Sequence, residues 1–188
     1  MKDASAELKE WIASVEEYSP ASWERLPELE LYMDQVLTFM NKQLEPFSPD
    51  GERLLTPSMI NNYVKDGVLP RPQRKKYSRT HLGMLMMICS LKSVLSLPEI
   101  SGLLHGLAGE DGINGRYHEF ATAHSDAMKE ATARIADAPQ QDKESLYRLA
   151  LQLSLEANDR RIAAARILNM FIEPKSEKEK DKEKAKKD

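Results

Sequence analysis

The sequence is poor in the features that mark secreted, membrane and disulfide-bonded proteins. It contains one cysteine, Cys89, which excludes an internal disulfide and fits a reducing cytoplasm. Aromatic residues make up only 6% of the chain, and runs of β-branched residues are almost absent. The longest apolar run falls far short of the roughly 18 residues that span a bilayer, and no signal peptide is visible. We therefore expect a cytoplasmic protein with no membrane partner.

Helix-forming residues dominate the composition and predict an all-α protein. Apolar residues recur at three- and four-residue steps in several segments, which we interpret as amphipathic helices. In the first segment, Leu8, Trp11, Ile12 and Val15 form one stripe, and we expect Trp11 to be a core anchor. The longer predicted helices cover about residues 4–18, 28–44, 79–95, 117–135 and 143–171.

Breaks in this pattern divide the chain into four regions. Residues 1–27 hold an N-terminal helix and a linker, and residues 28–105 form the middle domain. A cluster of glycines predicts a boundary or hinge at about residues 105–115, and residues 106–172 form a C-terminal helical region. Residues 173–188 carry 7 lysines and 6 acidic residues with almost no hydrophobic residue, which predicts a disordered charged tail.

Residues 55–77 are the most informative stretch, because they predict a short capped helix followed by a tight turn. Thr56 is a favourable N-cap, and Pro57 suits the first helical position because its missing N–H needs no partner there. Gly67 lies where a left-handed C-cap is expected, and prolines at positions 70 and 72 prevent any continuation of the helix. The pattern predicts a helix over residues 57–66.

This short helix has one apolar face and one polar face. Tyr63 lies on the apolar face, and we expect it in the core. Amide side chains on the opposite face can donate and accept hydrogen bonds with base edges in a major groove. The residues that we predict near base edges are Ser58, Asn61, Asn62 and Lys65.

A basic island follows the helix on a chain whose overall charge is −3. Between Gly67 and Pro98 there is no acidic residue against six lysines and arginines, whereas the first 55 residues carry 12 acids and 5 bases. Phosphate contacts are made by one surface, so a local island indicates a nucleic-acid partner better than net charge does. A solvated loop is the alternative interpretation. The predicted phosphate contacts are Arg71, Arg74, Lys75, Lys76 and Arg79.

The order of these features resembles the MerR-type winged helix-turn-helix over about 50 residues. The resemblance rests on Ile60-Asn-Asn-Tyr-Val-Lys-Asp-Gly-Val-Leu69, on Lys76-Tyr-Ser78, and on Leu95-Ser-Leu-Pro-Glu-Ile100 followed by Leu103-Leu104. Residues 31–104 are also similar to an uncharacterised bacterial family of unknown function that shares this core. The resemblance implies an all-α fold whose winged helix-turn-helix core has a short or vestigial wing, with N-terminal helices and two long C-terminal helices.

The resemblance also implies a function, namely DNA binding and transcriptional control. It places helix 57–66 in the major groove of double-stranded DNA and the basic turn 70–79 on the phosphate backbone, with residues 28–105 as the DNA-binding domain. It further implies a homodimer through the C-terminal helices and a possible small-molecule effector. Metal-sensing members use several cysteines, so Cys89 alone excludes that subclass, and we expect no metal or cofactor.

The sequence departs from the family pattern in ways that leave a second function open. Asn61 and Asn62 stand where the family usually has Arg and an aromatic residue, the wing is about five residues shorter, and a long loop covers residues 45–55. These departures favour, as the alternative, a protein-interaction module that keeps the helix-turn-helix fold without binding DNA.

An enzyme is the weakest of the three classes. The four histidines lack metal-ligand spacing, and the glycine cluster lacks the strand that a phosphate-binding loop needs. Since the sequence also shows no nucleophile elbow or paired-acid motif, we predict no enzymatic activity.

Overall fold

Seven α-helices make up most of the described part of the protein, in a computed structural model that describes residues 4–48, 53–107 and 112–171. The all-α prediction is confirmed for these residues, where the extended backbone is limited to two isolated β-bridges. The predicted tail at 173–188 lies outside the described residues, as do parts of the predicted loop at 45–55 and hinge at 105–115. The helices are α1 (Ala4–Glu16), α2 (Met33–Gln43), α3 (Pro57–Lys65), α4 (Arg79–Leu91), α5 (Leu97–Gly106), α6 (Gly112–Ile135) and α7 (Lys143–Leu168).

Side-chain caps fix the starts of several helices, including the Thr56 cap that the sequence predicts. The Thr56 hydroxyl accepts a hydrogen bond from the Met59 N–H at 3.3 Å at the start of α3. Ser96 and Glu99 form a capping box on α5, in which the Ser96 N–H donates to the Glu99 carboxylate at 2.8 Å. The Asp142 carboxylate caps α7 through the Ser145 N–H. Each cap satisfies backbone donors that lack partners inside the helix.

Helix α2 begins five residues later than predicted, at Met33 rather than Glu28. The reason is that Leu31 exchanges two backbone hydrogen bonds with Tyr77, at 2.8 and 2.9 Å, and so cannot join a helix. The helix predicted at residues 79–95 is also shorter in the structure, where α4 ends at Leu91.

The main hydrophobic core surrounds α4. Eight of its residues are buried, among them Leu82, Leu85 and Ile88, which are fully inaccessible to solvent. Helices α2 and α6 pack on α4. Cys89 is buried here, and burial raises the pKa of its thiol to about 11. Gly83 lets the backbone of α4 lie close to Trp23, because a Cβ at this position would be 2.9 Å from the Trp23 ring.

A second, smaller core joins α1 to the far end of α6. Ile12, Ile135 and Ala138 are buried there, and Leu8 packs against them. The prediction that Trp11 anchors the core is wrong, because its side chain is 45% exposed. Leu8, Ile12 and Val15 already form the inward stripe at four- and three-residue steps, so Trp11 lies at the edge of that stripe.

Helix α7 is the least covered element, since none of its 26 residues is buried. It contacts α5, and two ion pairs, Arg134–Glu156 and Arg160–Glu130, join it to α6. No helix in residues 4–48, 53–107 or 112–171 is long and apolar enough to cross a membrane.

Candidate nucleic-acid interface

Helix α3 presents its polar face to solvent and its apolar face to the core. Ile60 is fully buried and Tyr63 is 5% exposed, so the core position predicted for Tyr63 is confirmed. The polar side chains predicted to lie near base edges all stand on the exposed face. These are Ser58, Asn61, Asn62 and Lys65.

Two side chains from other helices hold the segment that leads into α3. The Asn41 amide of α2 spans Leu55, accepting from its N–H at 3.2 Å and donating to its carbonyl at 3.3 Å. The Lys92 ammonium at the end of α4 donates to the Leu54 carbonyl at 2.6 Å. These bonds fix where α3 begins relative to α2 and α4.

The C-terminal end of α3 turns the chain sharply towards the basic segment. Gly67 has φ +74°, a conformation that glycine adopts without steric cost. The N–H groups of Val68 and Leu69 both donate to the Tyr63 carbonyl at 3.0 Å, and both side chains are buried. The chain is therefore anchored immediately before Pro70.

The predicted basic turn is a two-residue β-turn. Gln73 and Lys76 form an antiparallel bridge, with the Lys76 N–H donating to the Gln73 carbonyl at 2.8 Å. Arg74 and Lys75, between them, have φ +49° and +63°. Positive φ at both central residues is the mark of a type I′ turn, which usually contains glycine, asparagine or aspartate.

The base of the turn is fixed to the core. Tyr77 is buried and pairs with Leu31, so the turn projects from a short antiparallel contact. His81 packs edge-on against the Tyr77 ring, and its Nδ1 accepts from the Ser78 N–H at 3.1 Å. Burial lowers the pKa of His81, which keeps this nitrogen free of a proton as an acceptor.

The five predicted phosphate contacts occupy different environments. Arg71, Arg74 and Lys75 are exposed, and within the described part of the chain they form no ion pair. The Lys76 ammonium lies 5.5 Å from the centre of the Tyr32 ring. Arg79 is engaged within the protein, since its Nε donates to the Leu26 carbonyl at 3.1 Å and its guanidinium pairs with Glu28 at 3.2 Å.

The sequence predicted the polar face of α3 and the basic turn, but it did not predict that Asn41 and Lys92 bind the segment before α3. An asparagine near the end of a helix and a lysine at a C-cap give no local signal of the backbone that they bind. A model of the family described as Domain of unknown function (DUF1836) matches residues 21–120, which is more than half of the chain and contains the whole interface. No curated protein and no solved structure matches the sequence.

Proposed function

The chain belongs to the DUF1836 family, and we propose that it is a DNA-binding regulator of transcription in the cytoplasm. Helix α3 enters the major groove, and the turn at residues 70–79 lies on the phosphate backbone. The observation that carries the proposal is the pairing of an exposed polar helix face with a strained turn whose two central residues are cations.

The exposed face of α3 has the chemistry of base recognition. Asn61 and Asn62 each offer a donor and an acceptor, the combination that pairs with N6 and N7 of adenine. Lys65 follows on the same helix and adds a cation at its C-terminal end. Because Ile60 and Tyr63 anchor the opposite face in the core, the helix is presented as a rigid reader.

The turn supports the proposal because its residues do not suit its backbone. A left-handed conformation costs a non-glycine residue about 1–2 kcal/mol, and Arg74 and Lys75 both adopt it. Strained residues persist mainly at functional sites, where their side chains are needed. Two exposed cations at the tip of a projecting turn suit contact with phosphates, with Arg71 and Lys76 beside them.

The order of elements supports a MerR-like winged helix-turn-helix. Helices α2 and α3 supply the helix-turn-helix, residues 73–77 act as a reduced wing, and α4 and α5 form the following helix pair. In this arrangement Arg79 contacts phosphate through those N–H donors of its guanidinium that Leu26 and Glu28 do not use.

We propose a homodimer through α7, because two half-sites give the specificity that one short helix lacks. Large apolar side chains lie along the solvent face of α7 at positions 147, 151, 155 and 162, each at least half exposed. This row also favours the alternative, a protein-interaction module without DNA binding. The row lies on α7, however, which is outside the family match, whereas the basic turn and the polar face of α3 lie within that match.

The test compares the wild type with two variants on a duplex enriched from random DNA and on a scrambled duplex. Asn61→Ala is expected to weaken binding to the enriched duplex by roughly 1–3 kcal/mol and to leave the scrambled duplex nearly unchanged. Lys75→Ala is expected to weaken both duplexes alike and to reduce the slope of log K against log salt by about 0.9. Equal losses on both duplexes from Asn61→Ala would contradict base recognition by α3.

A further inference from the structure

A cavity of about 620 Å³ lies between α7 and the elements α4, α5 and α6. The floor is apolar, with Leu91 from the end of α4, Leu95 from the turn between α4 and α5, and Leu103 from α5. Small side chains, among them Ala157 and Ala164 of α7, leave the space unfilled. Cavities of about 300–1,000 Å³ with apolar walls and a few polar groups are typical of small-molecule sites.

The polar groups at the rim have unequal hydrogen-bonding capacity left. Arg160 holds the Glu130 carboxylate at 2.9 Å, and the Glu156 carboxylate is bound by Arg134 and by the Gln152 amide. Glu99 lies outside the lining, and its carboxylate accepts from the Ser96 hydroxyl and N–H. These two hydrogen bonds lower the pKa of Glu99, and the charge of Arg161 adds a smaller effect in the same direction.

Arg161 is the remaining cation of the rim. Within the described residues it forms neither a hydrogen bond nor an ion pair, although its guanidinium carries five donors. Each of these three carboxylates thus accepts hydrogen bonds within the protein, whereas Arg161 has no acceptor for its own donors. The lining carries three arginines and two glutamates, which leaves an excess of one positive charge.

We propose that this cavity binds an amphipathic anion, a molecule with an aliphatic body and a single carboxylate or similar acidic group. The aliphatic part lies on the leucine floor between α5 and α7, and the acidic group accepts hydrogen bonds from Arg161. A cationic or purely apolar molecule leaves this arginine unpaired and binds more weakly.

The ligand also bears on regulation, and this part rests on the proposed function. The cavity is lined by α7, the proposed dimerisation helix, and by the end of α4, whose Lys92 holds the segment before α3. An occupant that moves α7 relative to α4 therefore changes the geometry of the two recognition helices. Ligand binding itself does not depend on DNA and is measured without it.

The experiment uses the full chain and three ten-carbon probes, decanoate, decanol and decylammonium, with calorimetry in the absence of DNA. Decanoate is expected to bind more tightly than the other two. Arg161→Gln is expected to weaken decanoate about tenfold, the value of one charge-assisted hydrogen bond, and to leave decanol unchanged. The matched control is Arg166→Gln, which removes an exposed arginine of α7 that does not line the cavity.

A second pair of variants tests the location. Ala164→Phe fills the cavity and is expected to abolish decanoate binding, whereas Ala163→Phe, on the exposed side of the same helix, is expected to bind normally. Circular dichroism establishes that both variants are folded, and Ala157→Phe replaces Ala164→Phe if that variant unfolds. Equal binding of decanoate and decylammonium, or unaltered binding by the folded filled variant, would overturn the proposal. Decanoate binding with no DNA binding would uphold the site and refute the proposed function instead.

Discussion

At the scale of single residues, the backbone conformation and the side-chain chemistry at Arg74 and Lys75 favour different amino acids. Their backbone conformation suits glycine or asparagine, yet their side chains are long cations. Stability and phosphate contact therefore make contrary demands at the same two positions, and substitutions can separate them.

Lys75→Gly and Lys75→Ala both remove the charge, but only glycine relieves the positive φ of +63°. We expect both variants to lose the same DNA affinity. Lys75→Gly is expected to be more stable than Lys75→Ala by about 1 kcal/mol, because alanine keeps the left-handed strain. Urea unfolding and a binding titration measure the two properties. Equal stability of the two variants would show that the turn does not hold strain at Lys75.

His124 makes the stability of the fold depend on pH. It lies in an aromatic cluster with Tyr18, Phe47 and Phe120, and burial lowers its pKa below the value of an exposed histidine. The unfolded chain therefore binds a proton more readily than the folded protein. The contribution of neutral His124 is present above about pH 6.5, the unfolded value, and is lost as pH falls from there through its folded pKa.

We expect the free energy of unfolding to fall between pH 7 and pH 5, and His124→Phe to flatten this decline. His81 acts in the same direction, since burial lowers its pKa too, so part of the slope remains. An unaltered slope in His124→Phe, measured by urea unfolding at each pH, would contradict this assignment.

At the scale of elements, α3 is held at its start by side chains from elsewhere in the chain and at its end by local backbone hydrogen bonds. Asn41 and Lys92 fix the segment before it, and Tyr63 receives the N–H groups of Val68 and Leu69 after it. A nine-residue helix is too short to be stable alone, so these contacts determine its position.

Asn41→Ala is expected to destabilise the protein by about 1–3 kcal/mol, because the N–H and carbonyl of buried Leu55 lose their side-chain partner. It should also weaken DNA binding on every sequence, since it displaces the helix without touching the bases. Asn62→Ala, on the exposed face of α3, serves as the comparison and should leave the free energy of unfolding within about 0.5 kcal/mol of wild type. A fully stable Asn41→Ala variant would show that the hydrogen bonds between Asn41 and Leu55 do not stabilise the fold.

Local rules predicted the parts of the interface that local chemistry determines. Thr56, Pro57 and Gly67 gave the bounds of α3, and the apolar pattern gave its buried face. The same rules expect glycine or asparagine in a type I′ turn, so the left-handed Arg74 and Lys75 had no signal. The Asn41 contact joins residues 14 apart and the Lys92 contact joins residues 38 apart, and only the tertiary fold brings them together.

At the scale of the whole molecule, the family match encloses most of the main core. The buried Tyr117 hydroxyl donates to the Ala21 carbonyl at 2.7 Å and so links the two ends of the matched region, residues 21–120. Helix α6 continues beyond that region into the smaller core with α1, and α7 follows with no buried residue. The periodicity predicted two long C-terminal helices, but not that α7 leaves one face exposed and a cavity behind the other.

The exposed row of α7 predicts self-association. Leu155→Lys places a charge in the middle of the row, where the leucine is 57% exposed, and is expected to convert a dimer to a monomer. Ala163→Lys introduces the same charge on another side of the helix and should leave the dimer intact. Light scattering after size-exclusion chromatography reports the mass. A wild-type protein that is already monomeric at micromolar concentration would refute the α7 interface.

Selection of the wild-type protein on random-sequence duplex DNA at low and moderate salt tests whether it is a DNA-binding regulator. We predict binding that weakens steeply with salt and an enriched site, arranged as an inverted repeat if α7 forms a two-fold dimer. Failure to bind any duplex at low salt would contradict it and would favour the protein-interaction module.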